Sequence, residues 1–318
     1  MKVGWYDFQE WEREEVEQCE FDVETYSESL SKHNFGKDHD VITVFASSKV
    51  DREVLDEVRP DVVCTRSTGF DHIDLEACEE LGIEVYNVPH YGSNAVAEQA
   101  FALLLALSRK IPSAVKRTQQ EFSHEGLEGF ELDGKKFGVI GTGDIGRKAI
   151  KMAKGFEMDV IACDPYGDDE LEEELRFMYV SMSDLLRQSD IISLHVPLTS
   201  STRHLLDAPE FDQMENTVII NTARGEIINS EALLEALEKG KVKAAGLDVL
   251  EAEDKMEKIK QAHEDTCQEY DINCKLINRD DVFVTPHNAF NTIEAKQRIL
   301  ETTFRNIRER PEENRVNM

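Results

Sequence analysis

No part of this 318-residue chain stays apolar long enough to cross a membrane: its longest uninterrupted apolar run is Ala100 to Leu107, far short of the ~20 residues a spanning helix needs. Basic residues are also scarce. Lys and Arg number 36 against 65 Asp and Glu, for a net charge of -29, and a field of that sign repels phosphate backbones and anionic lipid surfaces. Nucleic acid and membranes are therefore not expected as partners. Such an acidic excess also suits a salt-rich cytoplasm. The six cysteines, Cys19, Cys64, Cys78, Cys163, Cys267 and Cys274, include no C-x-x-C pair, so no metal site is expected and reduced, mostly buried thiols are. The opening Met1 to Trp5 reads as a strand and meets Asp7 and Glu10 before the apolar core of a signal peptide can form, which predicts a cytoplasmic protein. Solenoid repeats and low-complexity tracts are missing too.

What is present suffices for two domains, with 40% hydrophobic and 32% charged residues. Strand-like runs at Lys2 to Tyr6, Val41 to Phe45, Val62 to Thr65 and Glu84 to Asn87 alternate with amphipathic stretches at Gln9 to Gln18 and Leu75 to Leu81, a first α/β unit. Ser93 to Lys110 predicts a helix whose apolar residues surround its axis, hence one buried on several sides. A second unit follows with strands at Phe137 to Gly141, Val160 to Asp164, Asp190 to His195, Thr217 to Asn221, Ala244 to Val249 and Val282 to Pro286. Nearly all-apolar strands separated by helices imply a doubly wound parallel sheet buried on both faces. Glu253 to Arg279 reads as a surface helix plus loop, Asn291 to Arg308 as a final helix, and Pro311 to Met318 as a frayed polar tail.

Chemistry enters at Gly141-Thr142-Gly143-Asp144-Ile145-Gly146. This G-x-G-x-x-G follows a strand and opens the helix Arg147 to Phe156: Gly141 permits the tight turn, Gly143 lets backbone approach a pyrophosphate, and Gly146 lets helix and strand pack closely. Asp164 ends the next strand about 20 residues on, where a carboxylate accepts from a ribose 2'-hydroxyl and repels a 2'-phosphate. NAD is thereby favoured over NADP. Asp144, within the turn, is expected to face solvent, since a carboxylate aimed inward would oppose the pyrophosphate. Ligands of open α/β sheets lie beyond the carboxyl ends of the strands, and three polar groups follow strand ends: Arg224, Glu253 and His287. Singly, each also reads as an ordinary residue: a satisfied histidine after a proline turn, a surface cation, one acidic group among 65. Ser67-Thr68-Gly69 offers backbone amides able to nest a carboxylate.

The blocks Arg66-Ser67-Thr68-Gly69-Phe70-Asp71-His72-Ile73-Asp74, Asn87-Val88-Pro89-His90-Tyr91, Asn94-Ala95-Val96-Ala97-Glu98, His195-Val196-Pro197-Leu198-Thr199, Asn221-Thr222-Ala223-Arg224-Gly225, Gly246-Leu247-Asp248-Val249 and Thr285-Pro286-His287, in this order around the glycine turn, resemble the D-isomer-specific 2-hydroxyacid dehydrogenases along nearly the whole chain. The resemblance implies hydride transfer between NAD(H) and a small 2-hydroxy or 2-keto acid, with D-lactate dehydrogenase as the nearest branch. It gives Arg224 the substrate-binding role, His287 the acid/base role, and Glu253 the task of holding His287 protonated. Cofactor positions carried over are Thr142 to Ile145, Asp164, His195, Pro197, Thr222, Ala223 and Asp248, the last near the carboxamide. Thr68 and Gly69 become substrate-carboxylate donors, and Tyr91 and Phe290 the walls of a small apolar pocket, unless both rings simply pack a domain junction. The implied architecture has two Rossmann-like domains, an NAD-binding domain of residues 99–287 inserted into a smaller flavodoxin-like substrate domain of residues 1–98 and 288–318, in a homodimer. Glyoxylate/hydroxypyruvate reductase and phosphoglycerate dehydrogenase remain alternatives within the family, and an NAD-sensing co-repressor-like protein remains one outside catalysis.

Overall fold

The computed structural model describes residues 1–36, 38–253 and 272–317. The chain forms two compact units, one of residues 1–91 and 291–318, the other of residues 92–290.

The first unit is built on β1 (Lys2–Trp5), β2 (Asp22–Thr25), β3 (Val41–Val44), β4 (Val62–Thr65) and β5 (Glu84–Tyr86), all parallel in the order β2-β1-β3-β4-β5. That order is the flavodoxin-like one. Central β3 and β4 are buried throughout, and their alternate residues serve two cores: Val41, Val62 and Cys64 pack on one face with Val3, Trp5 and Leu300, while Ile42, Val44 and Val63 pack on the other with Leu55 and Val85. The edge strand β2 escapes the sequence reading because it carries a single apolar residue, Val23, in Asp-Val-Glu-Thr and stays largely exposed. Helix Arg52–Val58, capped by Asp51 accepting from the Val54 amide, also had no counterpart in that reading.

An ion pair lies inside this unit. Arg66 and Glu12, both 0% exposed, meet at 2.9 Å (Nε to Oε1). The guanidinium also donates to Thr43 Oγ1 and the Tyr6 carbonyl and lies against the rings of Trp5 and Phe45.

The C-terminal tail is docked, contrary to the expected fraying. After helix Ile293–Glu309, Arg315 bridges antiparallel to Tyr86, the Val316 amide donates to the Val85 carbonyl, and buried Asn317 accepts from the Val85 amide while donating to the Ile83 carbonyl. Polar side chains here replace a missing neighbour strand and close the free edge of β5.

The second unit holds β6 (Lys136–Ile140), β7 (Asp159–Cys163), β8 (Met178–Tyr179), β9 (Ile191–Leu194), β10 (Thr217–Asn221), β11 (Val242–Leu247) and β12 (Val282–Val284), ordered β12-β11-β10-β9-β6-β7-β8 and parallel. Counted from β6 this is the doubly wound dinucleotide order with one more strand, β12, added beyond β11; its third strand, the two-residue β8, is too short for a periodicity to reveal. Helix Ser93–Ser108 buries Ala95, Ala97, Ala100, Phe101, Leu103, Leu104 and Leu107, leaving only a narrow exposed line at Asn94, Glu98 and Ala102. Of the expected helix and loop over 253–279, helix Ile272–Ile277 is present, and residues 254–271 lie outside the described ones. Cys19, Cys64, Cys78 and Cys163 are free thiols, whereas Cys274 is disulfide-bonded, which corrects the expectation of six reduced cysteines. No helix among the described residues is long and apolar enough to span a membrane.

Candidate active site

From β6 the chain turns through Gly141 into helix Asp144–Gly155. Gly141 has φ +94°, and a Cβ there would lie 2.5 Å from the His195 carbonyl oxygen; a Cβ on Gly146 would lie 2.0 Å from the Gly141 carbonyl oxygen. Both glycines therefore answer to steric need. Gly143, the helix N-cap, has open space where its Cβ would stand and supplies no capping side chain, so the first-turn amides and the positive end of the helix dipole face that space. Asp144 is exposed and Ile145 half-buried.

At the end of β7, Asp164 Oδ2 accepts from Thr142 N (2.7 Å) and Thr142 Oγ1 (3.0 Å), and Oδ1 accepts from the Tyr166 amide (2.8 Å). Partial burial alone would raise this carboxyl, but the Thr142 and Tyr166 donors, with Arg147, hold it below the usual range. The ionised Oδ1 keeps acceptor capacity for a hydroxyl. Tyr179, which the sequence did not single out, joins this corner through its hydroxyl, 2.8 Å from Thr142 Oγ1.

Two neighbouring strand ends carry buried polar atoms without protein partners among the described residues: His195 Nδ1 after β9 and Thr222 Oγ1 after β10. The other ring nitrogen of His195 meets Ser193 Oγ at 2.9 Å, and burial pushes the imidazole down to about 4, so it is neutral at pH 7. Ala223 is half-buried and Pro197 exposed. An uncapped helix start, an acceptor-bearing carboxylate and unpartnered donors fit a dinucleotide, with the pyrophosphate against the helix and a ribose hydroxyl on Asp164.

Beyond β10, Asn221 shapes the turn that bears Arg224: its Nδ2 donates to the Arg224 carbonyl and its Oδ1 accepts from the Ala223 amide. Beyond β11, Asp248 is 1% exposed. Its carboxylate accepts from Thr285 Oγ1 (2.5 Å), the Asn288 amide (2.9 Å) and the Ala289 amide (2.8 Å), and its carbonyl accepts from the His287 amide (2.8 Å). The loop after β12 is thus wound around Asp248, an organising task beyond the cofactor contact the resemblance suggested. It holds His287 in the left-handed region, at φ +50°.

There His287 Nδ1 meets Glu253 Oε1 at 2.7 Å, with the two side chains 40% and 44% exposed. Partial burial of the ring disfavours its charge, but the hydrogen bond and charge of Glu253 outweigh this, Arg224 opposes and Asp248 assists, and the imidazole ends above its ordinary value. His287, Glu253, Arg224 and Asp248 are therefore within electrostatic reach of one another. With Nδ1 fixed by Glu253, Nε2 remains to exchange a proton with a ligand.

Thr68, Gly69 and Tyr91 belong to the first unit; Phe290 ends the second. The turn after β4 is pinned by Ser67 Oγ donating to the Gly69 carbonyl, Thr68 Oγ1 to the Val88 carbonyl and Asn87 Nδ2 to the Thr68 carbonyl. The amides of Thr68 and Gly69 donate to no acceptor among the described residues. Tyr91 and Phe290 are half-buried.

The sequence model described as "D-isomer specific 2-hydroxyacid dehydrogenase, NAD binding domain" matches residues 101–289. The D-lactate dehydrogenase of Escherichia coli is 40% identical over 273 residues, covering 84% of this chain and 82% of that protein. The hydroxypyruvate reductase of Thermotoga maritima is 38% identical over 284 residues, 87% of this chain and 88% of that protein. Among solved structures, D-lactate dehydrogenase from Aquifex aeolicus, complexed with NAD and lactic acid, superimposes with TM-score 0.86 at 31% identity, covering 99% of this chain and 98% of that one. Two parallel α/β units, a glycine turn suited to NAD and a carboxylate-backed histidine thus converge on one conclusion: this chain belongs to the D-isomer specific 2-hydroxyacid dehydrogenase family and is an NAD-dependent dehydrogenase.

Proposed function

We propose that the enzyme reduces pyruvate or a similarly small 2-keto acid to the D-2-hydroxy acid, with Arg224, Glu253 and His287 as its chemical residues. The observation that carries this reading is the 2.7 Å contact between His287 and Glu253. When bound, the nicotinamide supplies or accepts the hydride at C2 of the substrate. Protonated His287 gives its Nε2 proton to the carbonyl oxygen as that oxygen becomes a hydroxyl, and takes it back in the reverse direction. Glu253 stabilises the imidazolium before transfer, and the planar fork of Arg224 suits the substrate carboxylate in a way Lys would not. The unengaged amides of Thr68 and Gly69 offer further donors for that carboxylate, and Tyr91 and Phe290 are assigned to the side-chain pocket. Gly141 to Gly146, Asp164, His195, Pro197, Thr222, Ala223 and Asp248 make up the NAD site in this reading. The D-lactate dehydrogenase relatives support the small substrate. Against a phosphorylated substrate stands Arg66, the cation of the Ser67 turn, whose guanidinium is buried and engaged by Glu12.

The reading includes a homodimer in the cytoplasm, where NADH is held. Helix Ile111–Thr118 buries none of its residues, and Ile111 and Val115, one turn apart on it, are 50% and 56% exposed, apolar surface that a second copy would cover. A single-chain mass in light scattering would refute the dimer.

A panel of pyruvate, glyoxylate, hydroxypyruvate and phenylpyruvate with NADH and NADPH tests the substrate. Pyruvate with NADH should give the highest kcat/KM. A clear preference for hydroxypyruvate or glyoxylate would favour the reductase alternative, turnover of phenylpyruvate without pyruvate would remove the small pocket, and no oxidation with any acid would favour an NAD-sensing protein. His287→Ala should lower turnover by orders of magnitude, on the order of 10²–10⁴ for loss of a general acid.

A further inference from the structure

Glu253 stands at the end of a short arm, Leu250 to Glu253, that follows β11, and a second carboxylate on this arm is occupied otherwise. Glu251 Oε1 meets His204 Nε2 at 2.7 Å, its Oε2 accepts from the Ser230 amide at 3.2 Å, and its carbonyl accepts from Asn273 Nδ2 at 2.8 Å. One residue thus ties the arm to the loop of His204, to the first turn of helix Ser230–Glu238 and to helix Ile272–Ile277. His204 is itself fixed, with φ +51° and its amide donating to the Glu226 carbonyl in the turn just after Arg224.

The arm and the Arg224 turn also touch through backbone. A Cβ on Gly225 would lie 2.1 Å from the Leu250 carbonyl carbon and 2.4 Å from the Glu251 nitrogen. Between the two carboxylates sits Ala252 at φ +54°, a conformation that persists for a residue with a Cβ only where its surroundings enforce it. Glu253 in turn reaches back through Oε2 to the Leu250 amide at 3.3 Å. The 2.7 Å approach of Glu253 to His287 depends on where this arm lies.

We propose that His204 and Glu251 are positioning residues for catalysis: their hydrogen bond clamps the arm against the Arg224 turn and so fixes Glu253 at hydrogen-bonding distance from His287. The inference rests on the reading of His287 as the acid/base. Among the described residues the charged groups acting on His287 are Glu253, Arg224 and Asp248, so His204 and Glu251 exert their influence through the placement of Glu253. Burial would raise the Glu251 carboxyl, yet His204 and the Ser230 amide hold it below the usual range.

The test is the titration of His287 by NMR in the protein without cofactor, its ring signal assigned from His287→Ala, alongside the pH profile of kcat/KM. Glu253→Gln sets the scale, lowering the His287 pKa by about one unit as its counter-charge is lost. His204→Ala and Glu251→Ala should lower it by roughly half as much, with the high-pH limb of the reduction profile moving by the same amount, and His204→Gln, whose amide can reach the Nε2 position, should restore it. The clamp is overturned if folded His204→Ala and Glu251→Ala leave the His287 titration unchanged while Glu253→Gln moves it. If Glu253→Gln does not move it either, the fault lies with the His287 and Glu253 pairing beneath the proposal.

Discussion

Two alanine substitutions three residues apart should separate folding from cofactor binding. A methyl on Gly146 would stand 2.0 Å from the Gly141 carbonyl oxygen, so the helix start must retreat by about 1.4 Å to reach ordinary contact at 3.4 Å. Overpacking of this kind costs ~1–3 kcal/mol, a fall in Tm of roughly 2–4 °C for each of them in a domain of this size. Gly143 differs in every respect. Its backbone, at φ -66° and ψ -167°, suits any residue, and the position of its Cβ meets nothing within 4 Å. Gly143→Ala should therefore keep or slightly raise Tm, by up to ~1 kcal/mol through the less flexible unfolded chain. The same methyl occupies the space over the helix start, so NADH affinity should fall at least about tenfold, ~1.4 kcal/mol. Thermal unfolding without cofactor and fluorescence titration with NADH measure the two effects. Wild-type NADH affinity in Gly143→Ala, or a wild-type Tm in Gly146→Ala, would refute the account of the turn.

Because Glu253 raises the His287 pKa above 6.5, and reduction needs the protonated ring, kcat/KM for reduction should be full at low pH and fall as pH rises through that value; in Glu253→Gln the fall should come at lower pH, and an unmoved profile would argue against the pairing. Glu12→Gln strips the counter-charge from a fully buried Arg66 and should cost roughly 3–5 kcal/mol by urea unfolding; a loss below 1 kcal/mol would mean the guanidinium reaches water or another carboxylate. Asn317→Ala leaves the Val85 amide and Ile83 carbonyl unsatisfied and should cost about 1–3 kcal/mol, with early hydrogen exchange along β5, whereas unchanged protection there would return the tail to the frayed state.

The features legible in the sequence are those that local physics dictates. Gly141, Gly143 and Gly146 between an apolar strand and a helix, with Asp164 after the next strand, state a phosphate-binding turn because the whole pattern falls within one strand-turn-helix passage and the strand after it. Apolar periodicity likewise gave β3, β4, β6, β7, β9, β10 and β11, since a strand buried on both faces must be apolar throughout. Where polar chain is ordered by distant partners, the sequence is silent. β2 is Asp-Val-Glu-Thr, a strand only because β1 lies beside it. The tail through Asn317 reads as fraying chain until β5 presents an edge for its amide to close.

Among the site residues the division is the same. Arg224, Glu253 and His287 could be picked out at strand ends, each with an ordinary reading of its own. That Glu253 reaches His287 across 34 residues of sequence is a fact of tertiary structure, as are the Asp248 carboxylate gathering the loop after β12 and the Glu251 carboxylate holding the arm of Glu253. By itself the sequence determined the strands buried on both faces, the glycine turn and the candidate polar groups at strand ends, because hydrophobic period and backbone sterics act over short spans. Only the tertiary structure decided which carboxylate meets which imidazole, because a hydrogen bond requires its partners within about 3 Å and such proximity is set by how β10, β11 and β12 lie side by side.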